Sequence, residues 1–274
     1  ISSPPNLIFL GFLESLKIPT ISFTTWIFMM LPLTCLMLLA MIKILSLNTK
    51  GYELNLTQFE DTKITSEHKR LLFVLGALLF ILFINSPIRP FYDGLGLNEN
   101  VILLTFGLLM FLPKLGFLTW DDSKSIPYEL IFLFGASFCI AMAFSQAELG
   151  GAFEKFFTLF KDLPFIVFVF LISCCAIIAT SLLSTTALVA IILPIINVAT
   201  VSFLDDTYRM LTMLIVTICA SFSFMIPIST PPNAIVFNQG GIKVLDMMKF
   251  GFLLSVAGIV LITLFSAWYW WLFV

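Results

Sequence analysis

The sequence predicts an all-α polytopic membrane protein that contains broken helices and a re-entrant hairpin. Three observations lead there. The chain is 60% hydrophobic and 11% charged, with mean hydropathy +1.08, which excludes a water-soluble globular domain. Uncharged runs of about 20 residues or more, enough for a helix to cross a bilayer, alternate with short polar stretches. And one unusual motif occurs twice.

The two copies are Ser3-Pro4-Pro5-Asn6-Leu7-Ile8-Phe9 and Thr230-Pro231-Pro232-Asn233-Ala234-Ile235-Val236-Phe237. Both read hydroxyl-Pro-Pro-Asn-apolar. Pro231 and Pro232 have no backbone N–H, so a helix arriving from Met210 through Ile228 cannot continue through them. Thr230 precedes a proline and is pushed towards an extended conformation. Asn233 is suited to restart the helix as a cap. In a bilayer such a break persists only where protein buries it or it lines a wet cavity. Carbonyl ends attract cations and helix N-termini attract anions, an arrangement found in many secondary transporters. A packing kink explains one copy equally well; a second copy tells against it.

Taken in order, Asn6 to about Ser15 is expected to be the second half of a broken helix, ending near Glu14 and Lys17. A span follows over 21–45, with Trp26 placed at the membrane interface. Residues 47–70 form the longest polar stretch and read as an aqueous loop holding His68, a solvated residue rather than a base. A helix over 71–84 stops at Asn85-Ser86-Pro87, and another span is expected over 101–118. Trp120 to Ser125 supplies a polar turn, and Ser125, Pro127 and Glu129 open a helix to about Gln146. Residues 150–162 space Phe153, Phe156, Phe157 and Phe160 helically against charges, as an interfacial helix does.

The stretch 163–204 is 42 residues without a charge. Its midpoint, Thr180-Ser181-Leu182-Leu183-Ser184-Thr185-Thr186, has five hydroxyls in seven residues, without Gly or Pro. A hydroxyl cluster at the tip of an apolar hairpin points to re-entry, with the tip held at depth; Ser and Thr packing helices together is the alternative. A broken helix over 210–247, a short loop at Lys243, Asp246 and Lys249, and a final span over 250–274 complete the chain. Trp268-Tyr269-Trp270-Trp271 closes that span as an aromatic belt. The five cysteines lie in apolar segments without metal or disulfide spacing and read as packing residues.

Alternating sides, nine of the 14 cationic residues fall on one face and five on the other: Lys43, Lys50, Lys63, Lys69, Arg70, Lys114, Lys124, Lys243 and Lys249 against Lys17, Arg89, Lys155, Lys161 and Arg209. The first face is expected to be cytoplasmic, with the hairpin entering from outside. The chain begins at Ile1, inside the first motif copy, and is read as the C-terminal part of a larger protein.

The run Ser223-Phe224-Met225-Ile226-Pro227-Ile228-Ser229-Thr230-Pro231-Pro232-Asn233-Ala234-Ile235-Val236-Phe237 resembles the C-terminal signature of the divalent-anion:sodium symporters, which carry dicarboxylates, citrate or sulfate. Ser184-Thr185-Thr186 with Ile191-Ile192-Leu193-Pro194 resembles that family's Ser-Asn-Thr region, and Ser3 to Phe9 resembles the matching break in the first repeat. The resemblance implies an inverted-repeat secondary transporter whose first repeat is truncated. Residues 1–46 would end the first repeat, 47–70 would be a cytoplasmic loop, and 71–274 would be the second repeat. It implies that Ser184, Thr185, Thr186, Thr230, Pro231, Asn233, Ser3, Pro4 and Asn6 face the substrate. Thr180, Leu183, Thr185 and Ser229 would hold a co-transported Na+. Thr185 stands where the family usually has Asn, which bears on substrate identity. Further implications are a small dianion as substrate, most simply a C4-dicarboxylate, and a homodimer in the lipid bilayer of the cell (inner) membrane.

No Lys or Arg falls in either motif, so a dianion at depth needs co-bound cations, helix N-termini and hydroxyls. Sulfate, phosphate or citrate transport, or sodium-independent exchange, are the alternatives. A membrane enzyme would need a nucleophile and base that the spans do not supply, and nothing points to nucleic acid. The charge asymmetry makes residues 47–70 cytoplasmic: a cysteine placed at Thr62 should resist impermeant thiol reagents in intact cells, and ready external labelling would invert the topology.

Overall fold

The computed structural model describes residues 3–18, 20–46, 65–87, 92–113, 116, 118–125, 132, 135, 136, 139, 143, 160, 163–201, 204–230, 233, 237 and 243–273. The α-helices with both ends among the described residues are α1 (Pro4–Ser15), α2 (Phe23–Ser46), α3 (Ser66–Asn85), α4 (Glu99–Leu109), α5 (Phe165–Leu182), α6 (Thr185–Thr200), α7 (Asp206–Ala220) and α8 (Val244–Trp268). Short 3-10 turns occupy Trp120–Ser125, Pro227–Ser229 and Trp270–Leu272. No strand appears among the described residues. Three of the helical segments (Phe23–Ser46, Phe165–Leu182 and Val244–Leu272) are long and apolar enough to cross a membrane. Within the expected helix to Gln146 the described residues Phe132, Gly135, Ala136, Cys139 and Ala143 are helical; the expected interfacial helix over 150–162, Phe160 apart, lies outside the described residues.

The chain divides into two compact units: residues 1–20, 29–50 and 129–274 form one, residues 21–28 and 51–128 the other. The smaller unit is held by polar clasps at helix ends. The Asn85 side chain donates to the Leu97 carbonyl and accepts from the Leu97 N–H, both at 2.8 Å. Gly94 passes beneath the Asn85 carbonyl at φ +79, where a Cβ has no room. The first N–H groups of α2, orphaned by helix geometry, donate to the Glu99 carboxylate (Phe23, 3.0 Å) and the Ser86 hydroxyl (Thr24, 3.1 Å). The expected stop at Asn85-Ser86-Pro87 is therefore real, with Ser86 as the C-cap.

Several expectations in this unit need correction. Helix α3 begins at Ser66, inside the stretch read as loop, because Thr65 and His68 form a reciprocal cap. His68 is accordingly a capping residue in the first turn. Trp26 is buried in protein (5% exposed). Helix α4 ends at Leu109 instead of running to Leu118. Pro113 excludes helical backbone at Leu112, and the chain turns so that Leu118 N–H donates to the Met110 carbonyl at 3.0 Å. The polar turn at Trp120 is present; Asp122 accepts from the Thr119 N–H and hydroxyl (2.7 and 2.9 Å), which holds its carboxyl below the usual range.

The larger unit is organised around α7. Every residue from Leu211 to Ala220 is buried, because α1, α5, α6 and α8 pack around it. Helices α5 and α7 run side by side in the same direction. Phe165 and Tyr208 meet at their starts (centroids 4.8 Å), and Ser223, just past α7, bonds Thr180 near the end of α5. Helix α8 returns antiparallel, bringing Trp271 against Tyr208 (4.5 Å). It begins at Val244, so Asp246 and Lys249 are helical rather than loop residues. The terminal aromatics are only partly a belt: Trp268 is 81% exposed, but Trp270 is fully buried and donates to the Met29 carbonyl at 3.1 Å. All five cysteines are free.

Helix α8 approaches the chain beyond α7 through small residues. A Cβ on Gly251 would lie 2.5 Å from the Phe224 carbonyl oxygen and 2.8 Å from the Met225 Cα. Gly251→Ala should therefore separate α8 from this segment at a cost of about 1–3 kcal/mol, read as a lower Tm in detergent. An unchanged Tm would contradict the packing described.

Candidate functional site

The hydroxyl-rich midpoint of 163–204 is a break between two helices. Helix α5 stops at Leu182, Leu183 is extended (φ −118, ψ 160), and Thr185 opens α6. Ser184 stands at the N-cap position of α6 but its hydroxyl makes no capping bond, so first-turn N–H groups of α6 lack that partner. Thr185, the first residue of α6, is buried; Thr186 is half-buried; Ser184 and Leu183 are exposed. Thr180 is fully buried, its hydroxyl donating to the Ile177 carbonyl at 3.0 Å. That bond leaves its oxygen lone pairs available.

The second break starts earlier than the prolines suggest. Helix α7 ends at Ala220, not Ile228, with Ser221 N–H on Ile218 O and Phe222 N–H on Cys219 O. Ser223 to Thr230 follows as non-helical backbone apart from the turn Pro227–Ser229, and Thr230 is extended (φ −140, ψ 148). Pro227 keeps the segment from resuming a helix: it has no N–H to offer, and Ile226 before it is extended (φ −120, ψ 137). The freed carbonyls are therefore those of the segment after Ala220, ahead of Pro231 and Pro232, which lie outside the described residues.

Side chains close this break and join it to the other one. The Ser223 hydroxyl donates to the Thr180 carbonyl at 2.9 Å. The Ser223 carbonyl accepts from the Asn233 amide at 2.8 Å. Asn233 also approaches the Ser229 hydroxyl (3.3 Å) and the Ile226 carbonyl (3.4 Å). The Ser229 hydroxyl donates to the Ile226 carbonyl at 2.6 Å, and Ser255 on α8 reaches the Phe222 carbonyl at 3.5 Å. Asn233 thus acts by reaching back across the break, not as the expected cap.

Of the residues predicted for the site, Thr180, Ser229 and Asn233 are brought into one hydrogen-bonded chain. Ser223, which carries that chain, was not singled out as a site residue; its position ten residues before Asn233 in the same signature was the available signal. Thr185 is buried and Thr230 half-buried. Ser3, Pro4 and Asn6 sit at the start of α1, which packs against α6 and α7. No hydrogen bond among the described residues joins them to either break. Ser3 is the N-cap residue without a side-chain cap, and Pro4 occupies the first helical position. Asn6 stands in the first turn of α1, and its side-chain oxygen is buried without a partner.

The oxygen-rich chain contains no ionisable side chain, and no cluster of three His, Cys, Asp or Glu exists among the described residues. Such an assembly of hydroxyls, amide and carbonyls suits a hard monovalent cation and, beside uncapped helix N-termini, an anion. It offers no nucleophile–base pair.

Comparison with known proteins agrees with these features. An uncharacterized transporter of Methanocaldococcus jannaschii is 30% identical over 275 residues, covering 98% of this chain and 60% of its own. Mouse solute carrier family 13 member 2 is 36% identical over 149 residues, 54% of this chain and 25% of that one. The sodium-dependent dicarboxylate transporter SdcS of Staphylococcus saprophyticus is 32% identical over 145 residues, 53% of this chain and 28% of its own. The chain thus spans at most about 60% of the length of these three relatives. The family model for the sodium:sulfate symporter transmembrane region matches residues 2–274. The chain is an integral membrane protein that belongs to that family of transporters.

Proposed function

We infer that this chain forms part of a sodium-coupled secondary transporter for divalent anions, most simply C4-dicarboxylates. The observation that carries the reading is the bonded chain from Thr180 through Ser223 to Ser229 and Asn233. It ties the hydroxyl-rich tip to the broken segment and contains neutral groups only. Na+ is held by the Thr180 and Thr185 hydroxyls with backbone oxygens near Leu183 and Ser229. The anion is met by Ser184, Thr185, Thr186, Thr230, Pro231 and Asn233, with Ser3, Pro4 and Asn6 contributed from α1. The buried, unpartnered Asn6 oxygen supports a polar occupant there.

Depth supports the same reading. The break packs on α8 at Gly251 and Gly258, about 10 and 21 Å along a helix roughly 37 Å long at 1.5 Å per residue. Thr180 is bonded to that level through Ser223. The α5–α6 pair is then a re-entrant hairpin with its tip near the midplane, entering from outside. Residues 1–46 close a first repeat and 71–274 form its inverted counterpart, with 47–70 on the cytoplasmic side, in a homodimer of the cell membrane. The similarity to the sodium-dependent dicarboxylate transporter of Staphylococcus saprophyticus favours dicarboxylate over sulfate, phosphate or citrate, and sodium coupling over exchange.

A cation and a dianion bound side by side offset each other, so each must raise the affinity for the other by the same factor. Thr185→Ala should raise the sodium half-saturation of succinate uptake by about tenfold, in the usual range for such coupling, and weaken succinate affinity with it. Thr185→Asn should retain transport. The measurement is sodium-dependent succinate uptake by the full-length protein in proteoliposomes at matched protein levels. Wild-type sodium dependence in Thr185→Ala would remove the tip from the coupling site.

A further inference from the structure

A cavity lies away from both breaks, where the starts of α5 and α7 meet the C-terminal aromatics. Its volume is about 190 Å³. Its walls include Phe160, Phe165, Phe168 and Tyr208, with two leucines and, as the one charged group among the described residues, Asp205. The four rings follow one another at centroid distances of 6.4 Å (Phe160–Phe168), 6.3 Å (Phe165–Phe168) and 4.8 Å (Phe165–Tyr208). Trp271 backs the wall, edge-on to Tyr208 at 4.5 Å and to Phe165 at 6.3 Å.

The carboxylate is uncommitted. Asp205 is the N-cap residue of α7, but its side chain makes no capping bond. Nor does it pair with a cation among the described residues, since Arg209, one turn further on, pairs with Asp206 at 2.6 Å. Ring faces carry negative electrostatic potential and attract organic cations within about 6 Å of the centroid. Aromatic walls with one carboxylate disfavour an anion and tolerate the apolar methyls of an alkylated ammonium. A cavity of about 150 Å³ holds benzene, and a trimethylammonium group has fewer heavy atoms.

We propose that the cavity formed by Phe160, Phe165, Phe168, Tyr208 and Asp205 is a binding site for a methylated ammonium group. The chemistry is that of choline, free or as the head group of phosphatidylcholine. The site lies at the end of the spanning helices marked by Trp271, where a lipid head group would stand beside it. The assignment does not depend on what the two breaks transport.

The test uses the purified protein in nanodiscs with spin-labelled phosphatidylcholine or phosphatidylglycerol, which share the phosphate and differ in the ammonium. Tetramethylammonium serves as soluble competitor. Preference for phosphatidylcholine, lost about tenfold in Asp205→Asn and in Tyr208→Ala and retained in Tyr208→Phe, supports the site with a lipid source. Binding of tetramethylammonium with the same variant pattern, but no lipid preference, supports it with a soluble source. Asp205 is exposed, so Asp205→Asn still carries the test if Tyr208→Ala does not fold. Equal retention of the two lipids with no tetramethylammonium binding overturns the proposal, as does wild-type binding in Asp205→Asn.

Discussion

Much of the larger unit depends on one requirement: a helix that stops beside apolar helices must find partners for its freed backbone groups. Helix α7 stops at Ala220 while buried on all sides. Four polar side chains answer the requirement, from three parts of the chain: Ser223 and Ser229 within the break, Asn233 beyond it, and Ser255 on α8. The carbonyl that Ser223 reaches belongs to Thr180, so satisfying one break places the other. The close approach of α8 follows, because Gly251 and Gly258 leave room for Phe224 and Phe222.

Satisfaction by side chains has a different consequence from satisfaction by a helix ladder. Hydroxyls and a primary amide can rotate and exchange partners, whereas backbone groups in a helix cannot without unwinding it. On the proposed reading, an arriving cation competes for oxygens that already take part in bonds of 2.6 to 2.9 Å. Binding then becomes an exchange of partners, and a dianion at the same place supplies the charge compensation that no Lys or Arg provides.

Much of this was legible in the sequence. The charge-free run, its hydroxyl-rich centre and the paired Pro-Pro-Asn motifs located both breaks, since proline and hydroxyl effects are local. The errors came where tertiary contact overrode local preference. Asn233 looked like a cap but reaches back to Ser223, a partner ten residues away that no local rule selects. Trp26 and Trp270 are both buried in protein, Trp270 against a carbonyl 241 positions earlier, which no local pattern shows. Helix α7 ends at Ala220, well ahead of the conspicuous Pro231-Pro232 pair, and Pro227 keeps the intervening segment from resuming it. Membership of a transporter family followed from the signature around Asn233.

The Ser223–Thr180 bond also bears on how the protein is made. Its two residues are 43 positions apart, and the earlier one is synthesised first. When the α5–α6 tip leaves the ribosome, Ser223 is still to be translated, so that bond to the Thr180 carbonyl does not yet exist. The helix α1 that packs on α6 has already been made. Biogenesis therefore passes through a stage in which the hairpin is supported from one side only. That interval is where a translocon or membrane chaperone would have most to shield.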